Sequence, residues 1–307
     1  MDFTPVEAGD RALASRGEAL PEESFATIEK SDCCLKGPVG QTAYDVIVRL
    51  RQRLDLYANV RPAKSIPNVP CLNPSVDMVI VRENTEDLYS GLETADDNRA
   101  TATRVITRKA CERIARFAFE LARQRRKAVT AVHKANVMKK TDGLFLSVCE
   151  EVASGYPEVT FSDMLVDTAA MNLIRKPQDF DVIVTTNVFG DILSDEASQV
   201  VGGLGLAASA NIGEHFAIFE PVHGCAPDIA GKNVANPTSH ILSAVMMLEW
   251  LGREKQHKET LSASRAIRNA VERCLAAGEV TPDLGGKLST TEMCTAVKRQ
   301  LSQVIAA

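Results

Sequence analysis

The chain has 307 residues, 45% of them hydrophobic, enough for two packed lobes, since single cores usually split beyond roughly 250–300 residues. Its formal net charge of -5, with both signs interspersed, excludes the basic face that a nucleic-acid partner requires, so a small anionic substrate has to be held by local arginines. No apolar run approaches the ~18 residues of a membrane span, no signal peptide opens the chain, and cysteines without a CxxC pair read as reduced thiols of a cytoplasmic protein.

Short β-rich runs alternate with helical patterns, which predicts an α/β fold. Residues 45–54 read as a helix. Pro62, Pro67, Pro70 and Pro74 follow and mark an inter-lobe crossing. Asp77-Met78-Val79-Ile80-Val81 reads as a buried strand. Residues 109–123 have helical periodicity, with Ala110, Ile114, Phe117, Ala118 and Leu121 on one face. Strands are expected at Ala128-Val129-Thr130-Ala131-Val132, at residues 159–166 and at Asp181-Val182-Ile183-Val184-Thr185. Helices are expected at 143–153 and 238–251.

Polar residues with chemical potential sit where these strands end. Arg51, Arg61 and Arg82 form a set of guanidinium forks that bind carboxylates bidentately at any working pH, enough to clamp a diacid. The plain alternative for each is a solvated surface arginine. Arg82, read as directly following the strand that ends at Val81, is the best placed. Asp191 and Asp195 are spaced i and i+4 on a helix predicted to follow a turn at Gly190. Like charges so placed repel unless a cation sits between them, and oxygen ligands suit Mg²⁺ or Mn²⁺. An N-cap with an exposed acid is the plain alternative. Asp167 also follows a strand and is a candidate third ligand. Lys134, in His133-Lys134-Ala135-Asn136, is a candidate base if partly desolvated, and His133 a satisfied loop histidine. Tyr89 is a candidate acid, since a phenol stays protonated at neutral pH. The Gly/Pro-punctuated stretch 220–237 is a candidate nucleotide loop, with Asp228 suited to a ribose diol. No GxGxxG occurs, and Gly202-Gly203-Leu204-Gly205 is weak evidence by itself.

Five motifs in order carry a resemblance: Leu56-Tyr-Ala-Asn-Val-Arg-Pro-Ala-Lys64, Val81-Arg-Glu-Asn-Thr-Glu86, His133-Lys-Ala-Asn-Val137, Thr185-Thr-Asn-Val-Phe-Gly-Asp-Ile-Leu-Ser-Asp195 and the 220–237 loop. Through nearly its whole length the chain resembles the β-decarboxylating dehydrogenases that act on 3-isopropylmalate, isocitrate, homoisocitrate, tartrate or malate. The resemblance implies a two-lobed α/β fold with a mixed sheet flanked by helices. One lobe, residues 1–57 and 203–307, would bind the cofactor. The other, residues 58–202, would carry the metal and substrate residues and the interface of a homodimer.

By the same resemblance Arg51, Arg61 and Arg82 clamp the substrate, with Asn136, Ile47 and Val48 also lining it. Asp191 and Asp195 hold the metal, with Asp167 supplied by a second subunit. Lys134 takes the C2 hydroxyl proton, also across the dimer, and Tyr89 protonates the enolate. A monomer is then expected to be inactive. Glu220, His223, Gly224, Cys225, Ala226, Asp228 and Asn236 lie where the family binds the dinucleotide. Cys225 replaces the commoner Ser, Thr or Ala, and Asp228 favours NAD over NADP. Ile47 and Val48, one turn before Arg51, leave a third carboxylate unpaired, at a cost of about 1–3 kcal/mol. They favour 3-isopropylmalate, converted to 4-methyl-2-oxopentanoate and CO₂ as in leucine biosynthesis, while Thr42 or Tyr44 keeps isocitrate, homoisocitrate or a malate analogue open. One departure stands out: the family's opening strand and Gly-Asp-Gly-Ile-Gly-Pro-Glu turn are absent, and residues 1–7 fall where its second strand is expected. A fragment or a non-catalytic subunit is the reading of another class, opposed by the presence of Tyr89, Lys134, Asp167, Asp191 and Asp195.

Overall fold

Each apolar run bounded by polar residues becomes a strand, and the strand ends carry the candidate residues. In the computed structural model, which describes residues 1–306, the strands in chain order are β1 (Cys34–Leu35), β2 (Ala58–Lys64), β3 (Asp77–Glu83), β4 (Glu93–Ala95), β5 (Ala100–Ala102), β6 (Ala128–His133), β7 (Thr160–Leu165), β8 (Val182–Thr185), β9 (Ala208–Ile212) and β10 (Ala217–Pro221). The α-helices are α1 (Asp10–Arg16), α2 (Glu22–Glu29), α3 (Arg49–Arg53), α4 (Arg108–Arg123), α5 (Thr141–Ala153), α6 (Val166–Arg175), α7 (Asn187–Val200), α8 (Thr238–Glu254), α9 (Lys258–Ala276) and α10 (Thr290–Ala306). Among the described residues no helix is long and apolar enough to cross a membrane. The cysteines are all free thiols.

The chain forms two compact units. The first contains Met1–Asp55, Ile66–Pro70 and the chain from Gly202 onward; the second contains Leu56–Ser65 and Cys71–Val201. In the second unit β2 pairs antiparallel with β3, and β3, β8, β6 and β7 continue in parallel. Val182, Ile183 and Val184 of β8 are fully buried. A central parallel strand covered on both faces reads as an unbroken apolar run, and theirs does. Ile80, Val132 and Ile183 from the sheet pack with Leu173 of α6 and Leu193 of α7 in one core. In the first unit β10 pairs parallel with β1 and antiparallel with β9. Its core joins Val271 and Leu275 of α9 to Met293 and Val297 of α10.

Several boundaries move from their predicted places. β3 continues through Arg82 and Glu83, so Arg82 is a buried strand residue and not the first residue beyond the strand. The helix at 45–54 begins as a π-helical turn, Tyr44–Val48, before α3. Its wider turn accommodates three consecutive β-branched residues, Val46, Ile47 and Val48, all buried. On α4 the buried face is Cys111, Ile114, Ala115, Ala118, Phe119 and Ala122. Phe117 and Leu121 lie at its margin, and Phe117 meets Tyr57 edge-on at 6.3 Å. Residues 1–7 form no strand: they are exposed or nearly so, and Pro5 has no N–H to give a ladder.

Candidate active site

The second unit gathers five of the predicted residues. β2 and β3 present Arg61 and Arg82, and α7 presents Asp191 and Asp195 from successive turns. The arginines are buried, Arg61 at 9% and Arg82 at 1% exposure, which removes the surface-arginine alternative. Arg82 Nε and Nη2 donate to Asn187 Oδ1 at 2.9 and 2.7 Å, and Nη1 donates to Asp191. Arg61 donates to Asn59 Oδ1 at 2.9 Å and Ser194 Oγ at 2.7 Å, and it lies 3.3 Å from Asp191 and 3.4 Å from Asp195. The repulsion expected between the two aspartates is therefore relieved by guanidinium groups. Burial raises the Asp195 carboxyl above its ordinary value, against the pull of Arg61.

Gly190 lies inside α7, not in a turn before it. A Cβ there would stand 2.5 Å from Arg82 Cγ and 2.6 Å from its Cβ, so the glycine exists to let α7 close on the arginine stem. Gly190→Ala gains about 1 kcal/mol in helix propensity but overpacks this contact at about 1–3 kcal/mol. A lower urea midpoint is expected; an unchanged or higher midpoint would show that the stem yields freely.

Tyr89 follows the short turn at Asp87. Its phenol donates to Asp191 Oδ2 at 2.5 Å, and its ring lies under Arg82, 4.9 Å from guanidinium carbon to centroid. Burial raises the phenol pKa, Arg82 opposes this and the Asp191 bond adds to it, so the hydroxyl stays protonated at neutral pH.

Lys134 and Asp167 form a second group. Lys134 follows β6, Asp167 opens α6, and Nζ lies 2.7 Å from Oδ1. That hydrogen bond lowers the Asp167 carboxyl. Among the described residues no three His, Cys, Asp or Glu side chains converge on one cation position, so Asp167 does not complete a set with Asp191 and Asp195 inside one chain. His133 is the satisfied histidine: Nδ1 accepts from Ala135 N–H at 3.0 Å and Nε2 faces Asp163 Oδ2 at 3.0 Å. Asn136 is exposed.

The remaining predicted residues belong to the first unit. Arg51, 5% exposed, donates to Asn211 Oδ1 at 2.9 Å and to Glu220 Oε1 at 3.4 Å. Glu220, at the end of β10, also meets Lys36 Nζ at 2.6 Å and accepts from Asn211 Nδ2 at 2.9 Å. Burial alone would raise this carboxyl; Lys36 and then Arg51 outweigh it and hold it at about 2. Ile47 and Val48 are buried. Beyond β10 the loop carries His223, Gly224, Cys225, Ala226 and Asp228 at or near the surface, with Ala226 in the left-handed region at φ 43°. Asn236 anchors the far end: Nδ2 donates to Asp283 at 3.0 Å, and Oδ1 accepts from Thr238 N–H at 3.0 Å. Cys225 borders a cleft of 420 Å³ with Glu7, Asp10, Arg11, Val39 and Gly40.

Asn59, Asn187, Ser194, Lys36 and Asn211, to which the sequence alone assigns no role, bind the predicted residues. Asn59 is accessible from the sequence, because residues i and i+2 of a strand share a face and Asn59 stands two before Arg61. Asn187 and Ser194, four before and three after Asp191, share its face of α7 by the helical counterpart of that argument, whereas Lys36 and Asn211 are joined only by the fold.

A family description, Isocitrate/isopropylmalate dehydrogenase, matches residues 1–297. The chain is 56% identical over 298 residues to the 3-isopropylmalate dehydrogenase of Archaeoglobus fulgidus, covering 97% of this chain and 89% of the relative. It is 48% identical over 311 residues to an isocitrate/homoisocitrate dehydrogenase of Thermus thermophilus, covering 99% and 91%. The crystal structure of isocitrate dehydrogenase from Methylococcus capsulatus superposes with a TM-score of 0.90 at 46% identity, over 96% of this chain and 88% of that one.

Proposed function

Because the chain belongs to the isocitrate/isopropylmalate dehydrogenase family, we propose that it oxidatively decarboxylates 3-isopropylmalate with NAD as hydride acceptor. The observation that carries the reading is the charge balance of one cluster, the buried Arg61 and Arg82 against the partly exposed Asp191 and Asp195. A dianionic substrate drawn to the two arginines takes their charge from the two aspartates, and a divalent cation would replace it. Asp191 and Asp195 are partly exposed, offer only oxygen and stand one helical turn apart, so they fit Mg²⁺ or Mn²⁺. Asp167 of the partner subunit would complete the set. When bound, the cation would supply Lewis-acid polarisation of the substrate oxygens.

Arg61, Arg82 and Arg51 hold the substrate carboxylates through planar forks, and Asn136 of the partner subunit lines the same ligand. Lys134 of the partner subunit takes the C2 hydroxyl proton, and NAD, when bound, would supply the acceptor for the C2 hydride. The C3–CO₂ bond then breaks, its electron pair passing into an enolate. Tyr89, protonated and aimed by Arg82 and Asp191, supplies the proton at C3. Glu220 and the loop carrying His223, Gly224, Cys225, Ala226, Asp228 and Asn236 take the dinucleotide, and the Asp228 carboxylate repels a 2′-phosphate. Exposed Val137, Met171, Ile174 and Ile192 lie on the same segments as Lys134, Asp167 and Asp191, which supports a homodimer joined through the second unit, with shared sites. Free thiols support a cytoplasmic location.

Apolar Ile47 and Val48 favour the isopropyl group. Half-exposed Tyr44 on the same turn supports a second reading, isocitrate or homoisocitrate, through its hydroxyl. NAD reduction with 3-isopropylmalate, isocitrate, homoisocitrate and malate, each with Mn²⁺ and with a chelator, separates these. A kcat/KM at least ~10-fold higher for 3-isopropylmalate is expected, one hydrophobic group being worth about 1–3 kcal/mol, and the chelator should abolish turnover. A preference for a tricarboxylate selects the second reading, and no turnover with any of the four acids overturns both.

A further inference from the structure

Arg104 has no place in the reaction as described, yet its partners lie on the segments that bear Tyr89, Lys134 and Asp191. It lies just before α4, with its side chain largely buried. Its Nε donates to Asp87 Oδ1 at 2.5 Å, Nη1 donates to Asp142, and Nη2 donates to Thr186 Oγ1 at 2.7 Å. Both carboxylates are fully buried. The rest of the guanidinium is enclosed by Met138 Sδ at 3.1 Å and the Phe189 ring at 5.1 Å.

The two carboxylates hold three backbone amides. Asp87 accepts from Leu88 N–H at 2.9 Å and Val188 N–H at 3.1 Å, and Asp142 accepts from Lys134 N–H at 2.6 Å. Leu88 precedes Tyr89. Val188 is in the first turn of α7, one turn before Asp191, on a helix whose own N-cap residue makes no side-chain cap. Lys134 is the proposed base. Asp87 itself sits at φ 72°, ψ -148°, a region almost reserved for glycine that persists only where surrounding bonds over-determine it. Thus one planar cation fixes the acid, the base and the helix of the metal ligands through two buried anions.

Resting on the reaction proposed above, we infer that Arg104 is a positioning residue, setting the backbone at Tyr89, Lys134 and Asp191 by neutralising Asp87 and Asp142 together. Lysine cannot replace it, because a single ammonium lacks the fork that reaches both carboxylates and Thr186. Without the guanidinium the two buried carboxylates lose the cation that they share, an uncompensated burial of charge that loosens the amides they hold.

Arg104→Met and the charge-preserving Arg104→Lys, each made in the full chain, test this by steady-state kinetics and by hydrogen exchange of peptides covering Leu88, Lys134 and Val188. Displacement of catalytic groups by about 1 Å costs roughly 10²-fold, so kcat should fall about that far in Arg104→Met and at least ~10-fold in Arg104→Lys, with the KM for NAD within about two-fold of wild type. Exchange should quicken at the three amides while the peptides of β3 and β8 stay protected. Should Arg104→Met fail to fold, Arg104→Lys decides. A kcat within two-fold of wild type in Arg104→Lys overturns the inference, as does exchange that quickens equally across β3 and β8, the mark of a general stabiliser. If the wild-type chain turns over none of the four acids, the proposed reaction falls, while the exchange pattern still decides the tether.

Discussion

Lys134→Met lowers kcat by roughly 10²–10⁴-fold, the usual contribution of a positioned general base, and leaves thermal unfolding almost unchanged. The two effects separate because the Lys134–Asp167 pair is partly exposed, and exposed ion pairs add little to stability. The same substitution tests whether the site is shared. Lys134 pairs with Asp167, whereas Tyr89 contacts Asp191. If each site takes the first pair from one subunit and the second from its partner, Lys134→Met and Tyr89→Phe complement each other. Mixed after subunit exchange, two nearly inactive variants should recover about a quarter of wild-type activity, since half the dimers are mixed and each holds one intact site of two. No recovery in a sample shown to contain mixed dimers would place both groups in one chain.

What the sequence made legible is what depends on neighbours in the chain. β8 is evident in Asp181-Val-Ile-Val-Thr because a strand buried on both faces needs no polar alternation. The i, i+4 spacing places Asp191 and Asp195 on one face of α7. The five motifs carried the family. What was misread depends on distant partners. A charge normally ends an apolar run, so Arg82 was set outside β3; its burial is possible because Asn187 and Asp191, 105 and 109 positions away, satisfy it. Gly190 signalled a turn because glycine usually punctuates, whereas here it yields space to that same arginine. Arg104 gave no signal at all, its partners lying 17, 38 and 82 positions off.

Glu220→Gln is expected to destabilise the first unit by about 3–5 kcal/mol at pH 7, the cost of removing one member of a buried ion cluster. Lys36 and Arg51 both face this carboxylate, and both are largely buried. Glutamine keeps the shape and the bond from Asn211 but removes the charge that lies between Lys36 and Arg51. The wild-type protein carries the complementary signature in its acid limb. Its Glu220 carboxyl is held at about 2 against an ordinary 4.5, so the folded state retains the charge that the unfolded chain loses first. The stabilisation is complete above pH 4.5 and disappears as the pH falls from there towards 2. It amounts to about 3 kcal/mol, at 1.36 kcal/mol per unit. Urea unfolding from pH 7 down to pH 3 should therefore show the wild type losing stability steeply below pH 4.5 and Glu220→Gln losing much less, the two curves converging. Parallel curves would mean that Glu220 is not the group whose protonation opens this cluster, and equal midpoints at pH 7 would mean that water reaches Lys36 and Arg51 freely enough to replace it.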